Sequence, residues 1–124
     1  MSDPSELSRR IDTIESGYEY LLAYAAQGRQ NDTGSEVRQS LTNMHAALDG
    51  LGELVDAAVN AASGAGAAHG FLQAVREDAN KARGAIGLVL SRPAISSLLV
   101  DNLNASIHLR ALLTDVFLVE QALK

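Results

Sequence analysis

Apolar residues recur along this chain at alternating intervals of four and three. Leu7, Ile11, Ile14, Tyr18, Leu21 and Ala25 make one such run, which lays a single stripe along a helix, whereas a strand changes face every two residues. The interval returns in Val37, Leu41, Met44, Leu48, Leu51, Val55, Ala58 and Ala62, and again in Ala68, Leu72, Val75, Ala79, Ala82, Ile86 and Val89. A fourth run reads Leu98, Asn102, Ala105, Leu109, Leu112, Val116, Val119 and Leu123. The spacing predicts helices over about residues 4–27, 34–62, 67–91 and 94–123. Joined by short loops, such stripes bury one another as an antiparallel up-down-up-down four-helix bundle, an all-α fold in one domain over residues 1–124.

Start and stop signals agree with these limits. Asp3, Pro4 and Glu6 form a helix start, and Gly28 follows the last periodic residue of the first run. Thr33 with Glu36 has the spacing of a capping box for the second helix, which Ser63, Gly64 and Gly66 close. Pro93 ends the third, because the residue before a proline is pushed out of helical geometry. The same proline can open the fourth helix with Ser91 or Arg92 as cap, so a tight corner is expected there.

Two features depart from a plain bundle. The last segment is apolar on a second side, through Val100, Leu103, Ile107, Phe117 and Leu118, interrupted by Arg110 and Thr114. A helix apolar on two sides is either buried deeply or meets another molecule, so Val100, Leu103, Ile107, Arg110, Phe117 and Leu118 are the expected interaction surface. Glycines also fall inside predicted helices, at Gly17, Gly50, Gly52, Gly84 and Gly87, each costing about 1 kcal/mol relative to alanine in a regular helix. Close helix packing explains them most simply. A ligand pocket around Tyr18, Gly50, Gly52, Gly84 and Gly87 is the alternative.

Composition narrows the chemistry. The chain has no cysteine, which removes disulfides, thiolate metal sites and thiol nucleophiles together. A formal net charge of −5, with no local run of Lys or Arg, opposes nucleic acid binding. The first residues lack the basic and apolar regions of a secretory signal and no apolar run is long enough to span a membrane, so a soluble cytoplasmic protein is expected. Alanine is abundant and aromatic residues make up 4% of the chain, in keeping with closely packed helices. The carboxylates Asp12, Glu15 and Glu19, and Asp49, Glu53 and Asp56, read as solvated faces.

His45, His69 and His108 lie at different heights on three predicted helices and flank the stripes, so no metal centre and no cofactor are expected. Around His45 the run Asn43-Met44-His45-Ala46-Ala47-Leu48-Asp49-Gly50 resembles the His-x-Leu-Lys-Gly signature of His-phosphotransfer domains. It differs by an extra residue and by Asp49 in place of the lysine that helps hold the phosphoryl group. That resemblance implies His45 as a phosphoryl acceptor. His108-Leu109-Arg110 is similar to a histidine-kinase dimerisation helix with a residue missing, and Arg38 with His45 has a spacing found in helical nucleases of the HEPN class. None of these fragments is complete enough to assign a family. The tyrosines Tyr18, Tyr20 and Tyr24 suit a core border, with Tyr20 and Tyr24 a second contact surface if both are exposed. The expected function is binding without catalysis: a homodimer, or an accessory or regulatory subunit docking through the last helix.

Overall fold

The computed structural model describes residues 4–64, 66 and 68–124. Among the described residues the chain forms six helices and no strand: α1 (Pro4–Ala25), α2 (Val37–Leu48), α3 (Leu51–Ser63), α4 (His69–Leu90), α5 (Ser97–Ala105) and α6 (His108–Ala122). The expected count of four is corrected to six because the second and the fourth expected helices are each broken once. α1 packs chiefly against α2 and α5, and α4 against α6, α2 and α3.

The first break is at Gly50. Its φ of +70° lies in the left-handed region that glycine enters without steric cost, and it separates Leu48 of α2 from Leu51 of α3. The periodic stripe runs on across it, so Leu48 and Leu51 are both buried. The second break, at Ser106 and Ile107, has no glycine. Ile107 itself takes a φ of +63°, and the Ser106 hydroxyl donates to the Leu103 carbonyl at 2.6 Å.

This second break changes the register of the buried face. A straight helix that buries Val100 and Leu103 would go on to bury Ile107 and Arg110, by its period of 3.6. The junction instead turns Ile107 and Arg110 outward and buries Leu109, Leu112, Leu113, Val116 and Val119. The expected seam is therefore correct only within α6. In α5, Leu98 is 69% exposed, Asn102 and Ala105 are exposed, and Val100 and Leu103 hold the core positions.

The loops also differ from their expected form. No capping box joins Thr33 and Glu36. α2 begins at Val37, whose amide donates to the Ser35 hydroxyl at 3.0 Å, and the Glu36 side chain makes no capping bond. Pro93 does not open the following helix. Residues 91–96 form an open corner, α5 starts at Ser97, and the Ser96 hydroxyl accepts from the Leu99 amide at 3.0 Å. Ile95 explains the delay: it is fully buried and tied through its backbone to α1 and to the loop after it. The expected cap Asp3 lies outside the described residues.

Core packing otherwise follows the stripes, with Leu7, Ile11, Ile14, Leu21, Leu41, Met44, Val55, Leu72, Val75 and Ile86 all buried. Tyr18 and Tyr24 exchange the expected places. Tyr18 is half-buried, whereas Tyr24, beside the expected seam, is fully enclosed.

Candidate functional site

α6 presents the surface that stands out chemically. Ile107 is 63% exposed at its N-terminal end and Leu118 is 58% exposed three turns on. Ala111, Thr114 and Leu118 follow one another at intervals of three and four residues and share a face of α6, and Ile107, just ahead of the helix, lines one groove with Ala111 and Thr114. The Thr114 hydroxyl donates to the Arg110 carbonyl at 2.9 Å, which satisfies it within its own helix. Ile107, Arg110, Ala111, Thr114 and Asp115 line a shallow groove of about 380 Å³.

Two charges border the groove. Arg110 is exposed and forms no salt bridge among the described residues. Asp115 faces Asp78 of α4, and burial, a shared hydrogen bond with Asp78 and the repulsion of that carboxylate push its pKa up to about 7. Its Oδ2 is buried without a partner, as expected when two acceptors face each other and only a proton held between them can join them.

The expected interaction surface therefore divides. Ile107, Arg110 and Leu118 are exposed on one side of α6 and Phe117 is half-buried beside them, while Val100 and Leu103 are core residues and offer nothing to a partner. Ala111 and Asp115 are the groove residues that the pattern reading missed. The interval linking Ile107, Ala111, Thr114 and Leu118 was visible in the sequence, but assuming one continuous helix placed the boundary of the face wrongly.

The glycines do not meet around a common space. Gly50 makes the α2–α3 junction, and a Cβ on Gly52 of α3 would lie 3.1 Å from Cα of Arg76 on α4. A Cβ on Gly87 would lie 3.6 Å from His45 Nε2, and one on Gly84 would meet nothing within 4 Å. Tyr18 is half-buried on α1. The neighbour is thus Arg76 at Gly52 and His45 at Gly87.

His45 is half-buried on α2 against Gly87, His69 is exposed at the first residue of α4, and His108 is half-buried at the first residue of α6. Among the described residues no group of three or more His, Cys, Asp or Glu side chains is placed to hold a metal ion. Arg38 is engaged away from His45. Its guanidinium donates to Asp32 Oδ2 at 3.1 Å, to the Leu90 carbonyl at 3.1 Å and to the Arg92 carbonyl at 2.9 Å, joining the start of α2 to the end of α4. Of the tyrosines, Tyr20 and Tyr24 stack with ring centroids 6.5 Å apart, and Arg29 lies over the Tyr24 ring at 5.7 Å. Because Tyr24 is enclosed, the pair is not jointly exposed.

Among the described residues no helix is long and apolar enough to cross a membrane. No family model matches this chain, and no curated protein and no solved structure matches it either.

Proposed function

We propose that this protein acts by binding another protein through the outer face of α6, as an accessory or regulatory module without catalytic chemistry of its own. In this reading the helices form an up-down-up-down arrangement of four rods, two of them broken, whose role is to hold that face rigid.

Ile107 carries the proposal. A left-handed backbone costs an L-residue about 1–2 kcal/mol, and β-branched residues are the least suited to it. Ile107 adopts it, and in doing so turns its own side chain into water. The turn lets Leu103 of α5 and Leu109 of α6 both be buried, but the outward isoleucine side chain itself adds nothing to the core. Burying an isoleucine against a partner recovers about 1.5–3 kcal/mol, which accounts for an apolar side chain held outward at a strained position. Leu118, Ala111 and half-buried Phe117 extend the patch, and Arg110 beside them supplies a directional charge for specificity.

The test is photo-crosslinking in living cells with a benzophenone amino acid at Leu118, against the same probe at exposed Glu15 on α1. A discrete protein adduct specific to the Leu118 probe is expected. No adduct there, or the same adducts from both positions, overturns the proposal.

A second reading rests on an apolar pocket of about 420 Å³ between α1, α3 and α6, lined by Leu7, Ala58, Ala61, Ala62 and Leu123. It would take an alkyl chain of a small ligand. A rise in melting temperature with decanoate tests it, and no rise at millimolar concentration counts against it.

A further inference from the structure

Asp78 and Asp115 stand where two helices meet. On α4, Asp78 follows buried Val75 by three residues and precedes buried Ala79 by one; on α6, Asp115 holds the same place between buried Leu112 and Val116. A period of 3.6 sets such positions beside the buried stripe, at the edge of the helix contact rather than on the solvated side. Both aspartates are half-buried, α4 packs chiefly against α6, and Asp115 Oδ2 is buried with no hydrogen-bond partner.

No cation answers these carboxylates. Lys81 follows Asp78 by three residues on α4, and Arg110 shares a groove with Asp115 on α6, yet neither forms a salt bridge among the described residues. Asp78 is the one charge among the described residues that bears on the Asp115 carboxyl; α1, α3 and α5, which also pack on α6, bring none to it. Two ionised carboxylates offer acceptors only and repel each other. One proton between them makes a donor and an acceptor, joined by a strong, charge-assisted bond.

The fastening of α6 is otherwise apolar. Among the described residues no hydrogen bond and no salt bridge joins it to another helix, and the Thr114 hydroxyl is spent on its own turn. α1 and the corner before α5 are tied separately, through Tyr24, Ile95 and Ser97. α6 can therefore open without breaking that junction.

We propose that α4 and α6 are clasped by a single proton shared between Asp78 and Asp115, and that its loss to water releases α6 from α4 while α1 and α2 stay closed. The device is independent of what meets the outer face of α6.

The clasped pair keeps its proton up to about pH 7, whereas an aspartate set free ionises near its ordinary value of 3.8. The clasp is fully present below the lower value and is lost as pH rises through the upper one. Between the two, the closed form holds one proton more than the open form, so each pH unit multiplies the opening constant about tenfold, and the rise levels off above about pH 7.

The experiment is amide hydrogen exchange on the full chain from pH 5 to pH 8, corrected for intrinsic exchange, which reads the opening of each helix separately. Protection in α6 is expected to fall about tenfold per pH unit up to about pH 7 and then to level off, while protection in α1 and α2 does not follow it. Asp78→Asn and Asp115→Asn each let an amide donate to the remaining carboxylate without a proton, and each is expected to abolish the slope; circular dichroism checks that both fold. Carboxyl-carbon NMR of the wild type, which needs no variant, is expected to show an aspartate titrating near pH 7.

Protection in α6 that ignores pH overturns the clasp. So does one slope shared by every helix, because the pair then answers only to global unfolding. A slope that survives in both variants, or a wild type in which every aspartate titrates in the ordinary range, overturns it as well.

Discussion

The Tyr24 hydroxyl donates to the Ile95 carbonyl at 2.5 Å, which ties the last turn of α1 to the corner between α4 and α5. Several bonds reinforce this junction. The Ile95 amide donates to Asp32 Oδ1 at 2.9 Å, the Ser97 hydroxyl donates to the Tyr24 carbonyl at 2.7 Å, and the Arg29 amide donates to the Ser97 hydroxyl at 2.8 Å. The corner holds buried Ile95 in the core and fixes where α5 starts. Through α5 it also sets where the junction at Ile107 falls.

Tyr24→Phe keeps the ring but deprives the Ile95 carbonyl of its side-chain donor in a closed environment. A buried acceptor left without a partner costs about 1–3 kcal/mol, and urea unfolding is expected to show a loss in that range. A midpoint unchanged from wild type would mean that the hydroxyl does not hold the corner.

Two aspartates give opposite pH dependences. The Ile95 amide, and then the Arg38 guanidinium, hold the Asp32 carboxyl below its ordinary range, against the effect of burial. A depressed folded pKa contributes stability above the unfolded value of about 3.8, and that stability is lost as pH falls through the folded value. Asp32→Asn is therefore expected to melt lower than wild type at pH 7, with the gap closing toward pH 3.

Asp115 has the reverse sign. With its pKa raised to about 7, its contribution is present below the unfolded value and is lost as pH rises toward 7 and beyond. In dilute protein Asp115→Asn is expected to lack this decline, so that it melts higher than wild type at pH 8. Melting curves from pH 4 to pH 8 check it, and parallel profiles for the two proteins would rule out a strained Asp78–Asp115 pair.

The glycines separate packing from propensity. Gly84→Ala has open space for the new methyl group and is expected to stabilise by about 1 kcal/mol through helix propensity. Gly52→Ala drives the same methyl group toward the backbone of Arg76 and is expected to cost about 1–3 kcal/mol. Chemical denaturation of both variants measures the contrast, and equal signs would show that α3 and α4 can separate without penalty.

Ile107→Asn removes a β-branched residue from a left-handed backbone. The isolated fold is expected to gain about 1 kcal/mol, a gain in stability at the residue proposed to carry the function. Thermal unfolding at low concentration, where association does not contribute, is the appropriate measurement. A loss of stability would show that the exposed isoleucine makes contacts that the fold needs.

The periodicity of Leu7, Ile11 and Ile14, and of Leu72, Val75 and Ala79, was enough to determine helical class, the buried face of α1 and α4, and the approximate limits of most helices, because helix-forming stripes are local properties of the chain. Gly50 was visible as a misfit within a predicted helix, and it proved to be a break. Only the tertiary structure could decide the rest. Ile107 carries no local signal for a left-handed turn; its conformation follows from α5 being anchored at Ile95 and Ser97 while α6 packs on α4, so that one continuous helix could not bury both Leu103 and Leu109. Asp32, Asp115 and Ser97 likewise look like ordinary polar residues until distant segments supply Ile95, Asp78 and Tyr24 as their neighbours, since hydrogen bonds and carboxylate repulsion depend on proximity in space.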